Sequence, residues 1–262
     1  MIVAVSDVHL GYEKSNGKDF SRFLEKCDSA GIDHLVLLGD ILDFWRRNNA
    51  EVVTEKENAK ILDKIARLNV KNIHYIVGNH DYYLLRLNER YAGNYPFIIS
   101  KSLRLEDGGR KFYFIHGYEL EVLANLEPLS IENYEKFSEN MCFAENVIGG
   151  LASFLWGFVE KECMQAQIRK MRKSPHLREK IDKIYNIAIS QARYMLIGMK
   201  PDEGLVYGHT HRPFINKGRT VANTGSWVDE VNELSKEKSQ NKYVKISNGL
   251  MELKTFDEKN FP

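Results

Sequence analysis

Ile2-Val3-Ala4-Val5-Ser6-Asp7-Val8-His9 opens the chain with four apolar residues that run straight into a polar cluster. Four later stretches repeat the design. Leu35–Leu38 leads into Gly39-Asp40, and Ile73–Val77 into Gly78-Asn79-His80-Asp81. Phe112–Ile115 leads into His116-Gly117, and Leu205–Tyr207 into Gly208-His209-Thr210-His211. A short, mostly apolar and often β-branched run bounded by a breaker signals a buried strand. Between these runs apolar residues return at helical spacing, as in Phe20, Phe23, Leu24 and Cys27, or Ile61, Leu62, Ile65 and Leu68. Strand alternating with helix predicts an α/β fold on a layered sheet.

The pattern changes near residue 119. From Glu119 to Lys200 helical segments dominate, including 130–146 and 176–198, and no convincing strand is found. Strand signals return at 213–216, 219–223, 242–246 and 249–254. Asp107-Gly108-Gly109 and Ser247-Asn248-Gly249 mark hairpin turns. The expected organisation is a core of residues 1–118 and 201–262, interrupted by a helical insertion at 119–200.

Bulk properties narrow the class. A chain of 262 residues suits one large domain or a core with an inserted smaller one. The formal net charge of +1 argues against a whole-molecule attraction to nucleic acid or acidic membrane. Cys27, Cys142 and Cys163 form no close pair, which fits a reducing compartment. The N-terminus has no basic segment and too short an apolar run for a signal peptide. No apolar run reaches the roughly 18–20 residues that span a bilayer. A cytoplasmic protein is expected.

The ionisable residues fall where an open α/β sheet binds ligands, beyond the carboxyl ends of its strands. Five strand ends deliver Asp7 and His9, Asp40, Asn79 and His80, His116, and His209 and His211. His34, His74 and His176 fall outside these clusters and are read as structural or surface residues. Carboxylate, amide and imidazole donors together suit Mn, Fe, Zn and related divalent ions. Asp7, Asp40 and Asn79 with His9, His116, His209 and His211 are too many donors for one tetrahedral ion. They suffice for two ions that share a carboxylate, a pair able to clamp an in-line phosphoryl displacement.

Asp7-Val8-His9, Gly39-Asp40-Ile41-Leu42-Asp43, Gly78-Asn79-His80-Asp81, His116-Gly117 and Gly208-His209-Thr210-His211 resemble the five signature blocks of the calcineurin-like metallophosphoesterases. The resemblance implies a β-sandwich flanked by helices, with the helical insertion as a lid. It implies that Asp7, His9 and His211 hold one metal ion and that Asn79, His116 and His209 hold the second. Asp40 would bridge them. His80 would serve the leaving-group oxygen, with Asp81 orienting it from behind and Asp43 as a further supporting carboxylate. Two divalent ions are the implied cofactor, Mn first, with Fe, Zn, Co and Ni also compatible.

Three features are similar to the UDP-2,3-diacylglucosamine pyrophosphatase branch of that family. They are Asp43-Phe44-Trp45, the helical insert, and Arg212-Pro213. That branch commonly carries Arg where this chain has His80. The resemblance implies a phosphate-containing substrate, nucleotide- or lipid-linked, and contact with the inner face of the membrane through the insert. Val147 to Val159 reads VIGGLASFLWGFV without a charge, and Arg169, Lys170, Arg172, Lys173, Arg178 and Lys180 follow. The first reads as a buried helix or an acyl-contacting wall; the second reads as a solvated face or a grip on phosphate.

A nuclease or nucleotide phosphatase is the competing enzyme reading, although nucleases usually need a broad cationic surface. A non-catalytic metal-binding scaffold is the reading from another class, and the His80-Asp81 pair argues against it. Trp227 suits a cleft wall or the core equally, and Arg46 and Arg47, close after the second block, read as residues of the substrate mouth or, more safely, as solvated loop residues.

Overall fold

The computed structural model describes residues 1–90, 97–125, 130–148, 176–229 and 241–261. The apolar stretch lies outside them from residue 149 onward, as do Arg169, Lys170, Arg172 and Lys173.

The predicted strands form in two sheets, as the expected β-sandwich requires. The first has the order β11-β10-β1-β2-β3-β4 and the second β5-β6-β7-β9-β8. In chain order these are β1 (Ile2–Val5), β2 (His34–Leu38), β3 (Asn72–Ile76), β4 (Ile98–Ser100), β5 (Ser102–Asp107), β6 (Arg110–Ile115), β7 (Glu203–Tyr207), β8 (Phe214–Ile215), β9 (Val221–Asn223), β10 (Lys242–Ser247) and β11 (Leu250–Thr255). The pairs β1–β2, β2–β3, β3–β4, β6–β7 and β7–β9 are parallel, whereas β5, β8 and the β10–β11 hairpin pair antiparallel. Hence β1, β2, β3, β6 and β7 all end on the same side.

The layers follow from side-chain alternation. Ile2, Ala4, Val36, Leu38 and Ile76 of the first sheet pack against Phe112, Phe114, Val206 and Ala222 of the second. The opposite face of the first sheet (Val3, Val5, Leu35, Leu37) buries Phe20, Phe23, Leu24 and Cys27 of α1 (Gly17–Ser29) and Ile61 and Ile65 of α3 (Lys56–Arg67). The short α2 (Asn49–Thr54) precedes α3, and α4 (Leu84–Arg90) leads towards β4. The outer face of the second sheet (Tyr113, Ile115, Leu205, Tyr207) buries residues of α5 (Tyr118–Asn125), α7 (His176–Ile189) and the stretch around α8 (Ala192–Leu196). With α6 (Ile131–Ile148) between α5 and α7, this is an α/β sandwich with both sheets covered by helices. Strands buried on both faces read as continuous apolar runs, which is why they stand out in the sequence.

Trp227 belongs to the core: its ring packs on Phe20 and Phe23, and its Nε1 donates to Lys242 O at 2.9 Å. The backbone also ties the two sheets together. Trp227 N, beyond β9, donates to Asp7 O, beyond β1, at 2.9 Å; within the second sheet Gly208 N donates to His116 O at 2.8 Å and extends the β6–β7 pairing.

Gly39 shows how tightly the strand ends meet. It has φ +84°, and a Cβ there would stand 2.7 Å from Gly78 N and crowd the His116 ring. Gly39→Ala is therefore expected to cost at least about 2 kcal/mol, from left-handed strain plus overpacking. Urea unfolding measures it; an unchanged midpoint would contradict the close approach.

Candidate metal centre

Each strand end places its side chains by turning sharply. Asp7, His9, Asp40, His209 and His211 have φ of 54°, 51°, 53°, 67° and 55°. Left-handed backbone costs a non-glycine residue roughly 1–2 kcal/mol, and such strain gathers at functional sites. Asp7 N donates to Gly39 O at 3.0 Å and His9 N to Asp40 O at 2.9 Å, so the pairing of β1 with β2 continues into the turns.

Three donor groups result: Asp7, His9 and His211; His9, Asp43 and His80; and Asp40, His116 and His209. Within each group one atom per residue lies within 4.8 Å of the others. His9 Nε2 and His211 Nε2 are 3.2 Å apart, and Asp7 Oδ1 is 3.3 Å from His211 Nε2. Asp40 Oδ2 stands between two groups, 3.3 Å from His116 Nε2 and 3.8 Å from His9 Nε2. Gaps of this size match the spacing of ligands that share an ion at about 2.1 Å.

The second atom of Asp7, Asp40, His116 and His9 is anchored. Asp7 Oδ2 accepts from His209 N at 2.9 Å and from Ser6 Oγ. Ser6 Oγ lies 2.5 Å from Thr224 Oγ1. Asp40 Oδ1 accepts from His80 N at 2.9 Å. His116 Nδ1 donates to Leu38 O at 2.8 Å and His9 Nδ1 to Asp43 Oδ2 at 3.1 Å, which fixes both tautomers and turns each Nε2 inward. What remains is unsatisfied. Asp7 Oδ1, Asn79 Oδ1 and His116 Nε2 are buried without a hydrogen-bond partner. A lone buried polar atom of this kind costs about 1–3 kcal/mol, so three at one place call for a common partner. The donor set fits divalent cations.

Electrostatics agree. Burial disfavours charge on His116, but Asp40 and Asp7 outweigh it and raise its pKa to about 10. Burial likewise opposes ionisation of Asp40, yet the surrounding imidazoles hold its carboxyl well below the usual range. The centre demands positive charge.

His80 sits at the rim of the group. Its ring stacks on Trp45, with centroids 4.4 Å apart, and meets His9 edge-on at 4.7 Å. The resemblance gives Asp81 as the residue that orients it; the structure gives that contact to Asp43, whose Oδ1 lies 2.9 Å from His80 Nδ1. Asp81 braces the turns instead. It accepts from Gly78 N at 2.7 Å, Ile41 N at 2.9 Å and Tyr75 Oη at 2.6 Å. Burial, reinforced by the charge of Asp40, raises the Asp81 pKa to about 6.

Three contributors escape motif reading. Arg46 pairs with Asp43 Oδ2, and its guanidinium lies 4.3 Å over the Tyr12 ring, so it is not simply solvated. Arg47 pairs with Glu55 at 2.6 Å. Glu121 Oε2 lies 2.6 Å from His209 Nε2. Cys142 Sγ is 3.2 Å from His80 O. Glu121 and Cys142 belong to α5 and α6, segments without any signature. Of the remaining histidines, His34 at the start of β2 and His74 in the middle of β3 lie 3.0 Å from each other and belong to none of the three donor groups.

The family model described as calcineurin-like phosphoesterase superfamily domain matches residues 1–141. The chain belongs to that superfamily. It is a phosphoester hydrolase, and the matched span carries Asp7, His9, Asp40, Asn79, His80 and His116. Among similar proteins is a UDP-2,3-diacylglucosamine hydrolase of Shewanella baltica, 25% identical over 238 residues, which cover 88% of this chain and 91% of that protein. A protein of the same name from Photorhabdus laumondii subsp. laumondii is 25% identical over 217 residues, or 81% of this chain and 82% of that one. A solved structure of Vacuolar Protein Sorting 29 from Cryptosporidium parvum is 14% identical with a TM-score of 0.38, covering 97% of this chain and 94% of that one. Among the described residues no helix is long and apolar enough to cross a membrane.

Proposed function

We propose that this phosphoesterase uses two divalent ions, manganese first, to cleave a diphosphate bond in a nucleotide- or lipid-linked substrate. The supporting observation is Asp40 Oδ2, set between His9 and His116, with unsatisfied ligand atoms on either side. In this reading Asp7, His9 and His211 hold one ion, Asn79, His116 and His209 hold the other, and Asp40 joins them. When bound, such a pair lowers the pKa of an attacking water and neutralises phosphoryl oxygens. His80 hands a proton to the leaving oxygen, with Asp43 keeping its ring in place. The core is residues 1–118 and 201–262, and 119–200 is the insertion.

The substrate class draws on the relatives, which are named for hydrolysing UDP-2,3-diacylglucosamine. The reading extends to a cytoplasmic protein touching the inner face of a membrane through the insertion.

The test is hydrolysis by the full chain, loaded with Mn, of UDP-2,3-diacylglucosamine, an unacylated UDP-sugar, 4-nitrophenyl phosphate and single- and double-stranded DNA. Preference for the acylated diphosphate is the expected result. Preference for DNA or for the monoester would overturn the substrate assignment.

Acidity should oppose metal loading. A pKa of about 10 means that His116 holds a proton at neutral pH in the chelated protein, and an ion taking Nε2 must displace it. Mn affinity is therefore expected to fall about tenfold for each unit of pH decrease between roughly pH 8 and 6. Calorimetric titration in two buffers of different ionisation heat would show about one proton released as the site that contains His116 fills. Binding heats that are independent of buffer would contradict it.

A further inference from the structure

Helix α5 begins two residues after His116 and lays its first turn across the centre. Glu119 Oε2 accepts from Gly117 N at 3.0 Å and closes that turn. Glu121, on the same helix, reaches His209, with Oε2 to Nε2 at 2.6 Å. The contact is largely shielded, with the two side chains 24% and 12% exposed. Glu121 belongs to none of the three donor groups, whereas His209 shares one with Asp40 and His116.

A carboxylate accepts and does not donate. The His209 proton therefore sits on Nε2, facing Glu121, and the ring's lone pair is on Nδ1. The rest of His209 is equally constrained. Its backbone N–H is on Asp7, its φ is 67°, and its ring meets His116 edge-on with centroids 5.2 Å apart. Ring rotation is left as the main freedom, and Glu121 removes it.

We propose that Glu121 is the positioning residue for His209. It fixes the tautomer and rotation that direct Nδ1 towards the ion shared with Asp40 and His116. The helical insertion would thus complete the second metal position as well as cover it. This rests on the reading that His209 holds that ion. A carboxylate behind a ligating imidazole raises its basicity, and removing such a partner weakens metal affinity roughly 10–100-fold.

The experiment titrates the chelated full chain with Co(II), followed by calorimetry and by visible absorption, with thermal unfolding alongside. The proteins are wild type, His209→Ala, Glu121→Ala and Glu121→Gln. Wild type should take two ions and His209→Ala one. Any other result there overturns the two-ion reading itself, and Glu121 with it. Given that baseline, Glu121→Ala should weaken one ion roughly 10–100-fold and leave the other within about twofold. Glu121→Gln keeps an oxygen that accepts from Nε2–H and should recover most of the loss. Unaltered affinity in Glu121→Ala would overturn the proposal alone. So would equal weakening of both ions with a fall in melting temperature, which is what a merely structural role would give. A Glu121→Gln variant as weak as Glu121→Ala would also overturn it, because the carboxylate charge would then be acting directly on the ion.

Discussion

Asp40→Ala is expected to leave the protein folded, unable to hold two ions, and slower by well over about 10²-fold. The lower bound follows from scale, since loss of a residue that merely supports a ligand already costs roughly 10–100-fold. Asp40 does more than support. Oδ2 lies 3.3 Å from His116 Nε2 and 3.8 Å from His9 Nε2, so one truncation removes an oxygen from both sides of the centre. Oδ1 also releases His80 N, and with it the anchor of the residue proposed to protonate the leaving group. Folding should survive at some cost in stability, because in the chelated protein Asp40 attracts the imidazoles of His116 and His80 while repelling two carboxyls. Its charge raises the pKa of Asp81 and opposes ionisation of Asp7. Metal content by plasma emission, with kcat/KM on bis(4-nitrophenyl) phosphate, checks the expectation. Two retained ions and undiminished turnover would end the assignment.

The second large effect belongs to His80. General acid catalysis contributes about 10²–10⁴-fold, and it matters in proportion to how poor the leaving group is. His80→Ala should therefore lower kcat by about that range on an alkyl diphosphate, yet only several-fold on a 4-nitrophenyl ester, which departs without help. Both ions should stay, because neither metal group proposed above contains His80. Asp43→Asn should fall between wild type and His80→Ala on the alkyl substrate, since it weakens the 2.9 Å contact to Nδ1. Equal losses on both leaving groups would show that His80 acts otherwise.

Much of this centre is visible in the sequence because buried parallel strands and sharp turns both leave local marks. Ile2–Val5 followed by Asp7 and His9 needs no tertiary information to be noticed. The split into two sheets leaves no such mark. Leu35 and Leu37 face helices while Val36 and Leu38 face the other sheet, and all four are equally apolar. The strand β4, at three residues, is too short for any periodicity. Neighbours in sequence also mislead at a turn. Asp81 follows His80 directly but faces Gly78, Ile41 and Tyr75, while Asp43 arrives from a different loop. Glu121 and Cys142 are legible only in three dimensions, because each acts through a contact made between elements far apart in the chain.

The two sheets are held apart by a single apolar stratum in which Ala4 and Ala222 sit among Phe112, Phe114 and Val206. Asp7 and Asp40 are rooted on one slab and His116 and His209 on the other. The thickness of that filling therefore works as a shim that calibrates the distance across the centre. Chemistry at the rim can be retuned by methyl groups that no substrate ever meets.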